Sequence, residues 1–182
     1  MTRRRALVAA VACAALVAGC AQRVRAPASA AAAPQVFVLV RHAEKAADSP
    51  DDPSLSDAGR ARAQRLARSL EDAPVVAVYA TGYRRTQLTA LPTATAHALA
   101  VTTYDARRPA GAFAAELRAA QRRGTVLVVG HSNTVPAIAA ALCGCVVAPM
   151  REDEYDRRIE VRIAADGAAT LEQTRDGVPV AE

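Results

Sequence analysis

Two uninterrupted apolar runs dominate the hydrophobicity pattern, Val36-Phe37-Val38-Leu39-Val40 and Val126-Leu127-Val128-Val129. Short runs with no polar alternation, rich in β-branched residues, predict strands buried on both faces. A shorter run, Val75-Val76-Ala77-Val78-Tyr79, and the brief stretch 101–104 predict two further strands. Helical spacing fills the gaps between them. Leu66 and Leu70 recur one turn apart with arginines on the opposite face, Ser56 is a candidate N-cap, and Pro74 ends that segment. Thr81-Gly82-Tyr83 turns the chain into a helix that starts at Arg84 or Arg85 and runs to about residue 100, interrupted at Pro92 by a kink or a break. Residues 110–122 are amphipathic, with Phe113 and Leu117 at i, i+4. A last helix begins near Asn133-Thr134-Val135-Pro136, where proline fits the first turn. Residues 158–163 and 169–173, separated by Asp166-Gly167, predict a closing hairpin. Strands alternating with helices imply an α/β protein of three layers, α/β/α, around a mostly parallel but mixed sheet. No internal repeat is visible.

The first residues break this pattern. Arg3-Arg4-Arg5 precedes an apolar stretch, residues 6–18, that is short for a membrane span. It ends in Leu16-Val17-Ala18-Gly19-Cys20, which resembles the lipobox of bacterial lipoproteins. That resemblance implies a cleaved leader, residues 1–19, and a lipid-modified Cys20 that ties the protein to a membrane by burying methylenes at about 0.8 kcal/mol each. Ala21 stands where an inner-membrane retention signal often has Asp, which leans the expected location towards the periplasmic face of an outer membrane. Residues 20–34, rich in Ala with Pro27 and Pro34, read as a flexible tether, leaving 35–182 as the folded domain.

Charge and composition narrow the function further. Hydrophobic residues make up 52% of the chain but aromatics only 3%, so the core is built from Val, Leu, Ile and Ala. The net charge of +5 includes Arg3, Arg4 and Arg5. Without them the domain is close to neutral, and no basic run with interleaved aromatics points to nucleic acid. Cys143-Gly144-Cys145 permits a disulfide in an oxidising compartment, at the cost of a tight ring, or two free buried thiols. Nothing has zinc-ligand spacing, so neither metal nor cofactor is expected.

The chemistry-bearing residues lie where strands end. The first run opens into Arg41-His42, and the fourth strand into Gly130-His131-Ser132-Asn133. A third junction carries Arg84-Arg85. Ligands of open α/β sheets bind at the carboxyl ends of the strands. Two histidines and at least two arginines there suit a phosphoryl group. Guanidiniums clamp its oxygens in a fork, a neutral imidazole attacks phosphorus, and positive charge stabilises the transition state.

These segments resemble those of the histidine phosphatase superfamily, the phosphoglycerate mutase-like family. Its Arg-His after the first strand matches Arg41-His42, its arginine followed four residues on by Thr-Ala matches Arg85 with Thr89-Ala90, and its late Gly-His matches Gly130-His131. The resemblance spans about residues 35–165. It implies the phosphoglycerate mutase-like fold, His42 as nucleophile, and Arg41, Arg85 and His131 around the phosphate. Arg84, Ser132, Asn133 and Glu44 are the further substrate-binding candidates. It also implies a phosphorylated small molecule as the partner, and the leader-like segment, not the pocket residues, extends that expectation to a glycan or lipid phosphate of the cell envelope. A phosphate-binding lipoprotein without turnover is the alternative.

The chain departs from the family at the proton donor. One branch has an acid directly after the second histidine, where this chain has Ser132; the mutase-like branch has a glutamate in an insert that is absent after Tyr104-Asp105. Glu44, Asp48 and Asp105 remain as candidate donors. His97 fits no motif and is expected to be an exposed helix residue, while Tyr83 is expected at the pocket mouth or in the core.

Overall fold

The computed structural model describes residues 33–120, 123–175 and 178–179. The expected leader, Cys20 and most of the tether lie outside the described residues. Seven strands and four helices follow in the order β1 (Gln35–Arg41), α1 (Asp57–Ser69), β2 (Val75–Thr81), α2 (Arg84–Ala96), β3 (Val101–Tyr104), α3 (Ala110–Ala120), β4 (Gly124–Gly130), α4 (Thr134–Cys143), β5 (Arg157–Ile163), β6 (Ala169–Arg175) and β7 (Val178–Pro179). They form one mixed sheet in the order β3-β2-β4-β1-β5-β6-β7. The β3-β2-β4-β1 half is parallel, and β5, β6 and β7 continue it antiparallel. This is the three-layer α/β fold that the alternation of elements predicts.

β1 shows how the layers are set. Val36, Val38 and Val40 pack with Leu70, Ala90 and Ala94 of the α1–α2 side. Phe37 and Leu39 pack with Phe113, Leu117, Ile138 and Leu142 of the α3–α4 side. Successive strand side chains point to opposite faces, so a strand clothed on both sides must be apolar at every position.

Local chemistry decides where the helices begin and end. Ser56 caps α1, its Oγ accepting from Gly59 N at 3.1 Å. α2 continues through Pro92 without a break and stops at Ala96, short of the expected residue 100. The stop coincides with Ala98, whose φ of 53° is left-handed and cannot extend a helix. His97 is a correction to the exposed helix residue expected: it is half-buried at the α2 C-cap, with Nε2 3.0 Å from Leu70 O, where it ties the ends of α1 and α2 together. Cys143 and Cys145 are joined as a disulfide, with their Cα atoms 5.2 Å apart. Neither is buried, so the pair of buried free thiols is not what forms.

Candidate functional site

Strand register builds the site. Arg41 is opposite Gly130 in the β1–β4 pair, so the next residue of each strand, His42 and His131, leaves the sheet side by side. His42 N donates to Gly130 O at 2.9 Å, and the two imidazole centroids lie 5.5 Å apart, edge to face. Gly130 is required by space. A Cβ there would lie 2.6 Å from Thr134 Oγ1 and 2.8 Å from the Tyr104 hydroxyl oxygen. Thr134 Oγ1 accepts from His131 N at 2.9 Å, so a larger residue at 130 would disturb the anchor of that histidine.

β2 lies on the far side of β4 and delivers the third segment. Arg85 and Thr89 are one helical turn apart on α2. Thr89 Oγ1 donates to Arg85 O at 2.7 Å and accepts from Ala43 N at 3.0 Å. The four-residue spacing therefore pins the backbone just after His42 to the helix that carries Arg85. Ala90, fully buried, packs against the sheet.

The imidazoles are held in defined states. His42, 3% exposed, has Nδ1 2.8 Å from Ala43 O. A carbonyl only accepts, so Nδ1 carries the proton and Nε2 presents its lone pair. His131 Nε2 is 3.0 Å from Thr81 Oγ1, which bonds Thr86 Oγ1 at 2.8 Å. Burial lowers the pKa of both rings to about 4, with the Arg41 and Arg85 guanidiniums adding to the effect on each. Both rings are therefore uncharged at neutral pH.

This has a consequence for stability. A histidine with a folded pKa near 4 and an unfolded value of 6.5 binds its proton more readily in the unfolded chain. Stability is fully present above pH 6.5 and is lost as the pH falls towards 4. Denaturant titrations at pH 7 and pH 5 are expected to differ by about 2–3 kcal/mol for the two rings together, after allowance for partial solvent screening. Replacing both histidines by Asn should abolish most of that difference.

The two arginines complete the cluster. Arg41, 2% exposed, lies with its guanidinium carbon 4.4 Å from the Tyr155 ring centroid. Arg85, 16% exposed at its side chain, lies 4.3 Å from the Tyr83 ring centroid. Tyr83 is itself exposed and stands edge-on to His131 at 5.2 Å, at the mouth of the cluster. The Nε of Arg41 and the Nε of Arg85 are buried and find no hydrogen-bond partner among the described residues. Buried N–H donors are nearly always satisfied, so two orphans beside two neutral imidazoles mark where acceptor oxygens belong.

The other expected site residues are placed differently. Arg84 is exposed and turned to the 43–55 loop, 3.8 Å from Asp48 Oδ2. The Glu44 carboxylate is engaged in an ion pair with Arg62, Oε1 to Nη2 2.7 Å, and that partner holds its pKa below the usual range against the opposing effect of burial. Asn133 is exposed, and its side chain makes no capping bond among the described residues. Ser132 Oγ donates to a Glu152 oxygen. Of the three candidate proton donors, Glu44 is engaged by Arg62, Asp48 accepts from Ser54 N at 3.0 Å, and Asp105 from Arg107 N at 2.9 Å. Glu152 and Tyr155, which no motif singles out, reach the cluster instead, from the loop between α4 and β5. Asp52 does so from the 43–55 loop, with Oδ1 3.7 Å from Arg85 Nη1. Among the described residues no three His, Cys, Asp or Glu side chains gather into a metal-holding set.

The geometry invites comparison with known proteins. The sequence profile of the histidine phosphatase superfamily (branch 1) matches residues 37–108, the stretch that carries Arg41-His42 and Arg85. Solved structures extend the likeness in fold across the domain. A protein histidine phosphatase SixA bound to tungstate is 20% identical with a TM-score of 0.64, over 78% of this chain and 97% of that one. The mycobacterial glucosyl-3-phosphoglycerate phosphatase is 16% identical with a TM-score of 0.60, over 76% and 97%. An Escherichia coli protein described as a candidate α-ribazole-5′-phosphate phosphatase is 17% identical with a TM-score of 0.62, over 81% and 99%. No curated protein matches the chain. At these identities the likeness to solved structures is one of fold alone, and the roles of single residues rest on the geometry.

Proposed function

We propose that this protein is a phosphatase that passes a phosphoryl group through His42 and releases it to water. One observation carries the reading: two orphaned buried guanidinium N–H groups, on Arg41 and Arg85, flank an uncharged imidazole whose free lone pair is on Nε2. A tetrahedral phosphoryl group supplies the oxygens those donors lack. His42 Nε2 attacks phosphorus in line, the leaving oxygen departs, and a phosphohistidine forms. Arg41, Arg85 and His131 surround the equatorial oxygens and stabilise their developing charge. Water then attacks the same phosphorus, the N–P bond breaks, and inorganic phosphate leaves.

The structural relatives act on quite different phosphates, by their names a histidine-phosphorylated protein, a glucosyl phosphoglycerate and a ribazole phosphate. They support a phosphorylated compound as the substrate here, which we read as a phosphomonoester or phosphoanhydride. The motif ending at Cys20 supports an exported, lipid-anchored protein on the periplasmic face of an outer membrane, acting on small phosphorylated molecules or on envelope glycan or lipid phosphates. The mechanism uses no metal. The purified protein is expected to hydrolyse p-nitrophenyl phosphate at the same rate with and without EDTA. A rate that collapses in EDTA and returns with a divalent cation would overturn the metal-free mechanism.

A further inference from the structure

Resting on the phosphatase reading, we propose that Glu152 is the proton donor to the leaving group, held in place by Ser132 and Arg41. Its carboxylate spans the cluster. Oε2 lies 2.9 Å from Arg41 Nη2, and Oε1 accepts from Ser132 Oγ. Ser132 is the residue directly after the second histidine, the position where one branch of the family carries its acid. Here the acid reaches that place through space.

In-line displacement gives the direction. The nucleophile His42 is 3% exposed, so the leaving oxygen must sit on the opposite, outward side of phosphorus. Glu152 is 81% exposed at its side chain, on that outward rim, yet one hydrogen bond from the guanidinium that grips the phosphoryl oxygens. The loop that carries it is pinned. Arg41 Nη1 donates to Arg151 O at 3.1 Å. Arg157 donates to Ala148 O and Pro149 O, each at 3.0 Å. Glu154, buried, pairs with Arg175 and accepts from Arg151 N at 3.1 Å.

Protons balance through the cycle. At rest Glu152 is a carboxylate, held below the usual range by the Ser132 hydroxyl and then by Arg41, with Lys45 adding to the same field. A phosphomonoester arrives as its monoanion. As the phosphoryl oxygens take up the free Nε–H of Arg41 and share its charge, the ester's proton passes to Glu152, because a carboxyl beside a dianion holds a proton more tightly. His42 Nε2 then bonds to phosphorus, the P–O bond to the leaving group breaks, and the leaving oxygen takes the Glu152 proton. In the second step the Glu152 carboxylate takes a proton from the attacking water as the N–P bond breaks and its electron pair returns to His42, and that proton leaves with the inorganic phosphate, restoring the carboxylate.

The test compares two substrates of one shape, p-nitrophenyl phosphate, whose leaving group needs no proton, and phenyl phosphate, whose leaving group does. In the full chain, Glu152→Gln is expected to lower kcat/KM on phenyl phosphate about 10²-fold or more, and on p-nitrophenyl phosphate far less. Ser132→Ala should move the ratio of the two activities the same way by a smaller factor. Asp153→Asn, whose carboxylate pairs with Arg151 in the same loop, should leave the ratio unchanged. Equal losses on both substrates would make Glu152 a binding or structural residue. Equal gains would make it only an anion competing for Arg41. No change would make it a bystander. Each of these overturns the inference while leaving the phosphatase reading intact. A wild-type protein that turns over neither substrate would overturn both.

Discussion

Replacing His42 by Asn is expected to reduce turnover on the order of 10⁴-fold or more, the scale on which deletion of an attacking side chain acts in covalent catalysis. Asn is the informative choice. Its amide nitrogen can still donate to Ala43 O, as Nδ1 does at 2.8 Å, and its volume limits the cavity left at a site that is 3% exposed. What it lacks is Nε2. Phosphate release from p-nitrophenyl phosphate, followed with folded protein verified by thermal denaturation, reads the effect. Loss of activity with loss of fold would point to packing. Loss with the fold retained assigns the chemistry to Nε2. Activity surviving the substitution would remove the phosphohistidine from the account.

The second large effect is expected at Arg85. Removing one preorganised donor aimed at developing charge costs on the order of 10²–10³-fold in kcat, and Arg85→Ala should fall in that range. Arg85→Lys should recover little, since an ammonium cannot supply the buried Nε–H that lacks a partner or the planar fork around it. The neighbouring Arg84, exposed and turned towards Asp48, provides the contrast, and Arg84→Ala should change kcat little. The reverse order, with Arg84 essential and Arg85 dispensable, would mean that the helix presents its other arginine to the substrate. A loss seen in KM alone would place Arg85 in ground-state binding, outside transition-state stabilisation.

Much of this architecture is legible in the chain because burial on both faces leaves an unmistakable trace. β1 and β4 are apolar at nearly every position, and each hands its polar residues over at the point where the sheet ends. That two such strands are neighbours in register, Arg41 beside Gly130, depends on long-range pairing that no local pattern encodes. The Arg85-to-Thr89 spacing is legible as a motif, but its reason, a hydroxyl that ties Ala43 to α2, emerges only from packing. Adjacency misleads at Glu44. It follows His42 by two residues, yet the chain turns there and delivers its carboxylate to Arg62 of α1.

The opposite failure occurs at Glu152. It belongs to a run of charged residues, Arg151-Glu152-Asp153-Glu154, with no hydrophobic period and no motif spacing. Its placement follows from bonds made far along the chain, by Arg41 to the loop's carbonyls and by Arg157 to Ala148 and Pro149. Only the fold could bring it to Ser132. Cys143 and Cys145 illustrate the same limit, since spacing alone leaves both the bonded and the free pair open.

The most direct test of the central claim is to mix the protein with labelled phosphate ester, quench within the first turnover in alkali, and locate the phosphorus. The account predicts an alkali-stable, acid-labile phosphoramidate on the peptide containing His42, formed no more slowly than steady-state turnover and absent from His42→Asn. Turnover with no label on the protein, or label on another residue, would contradict it.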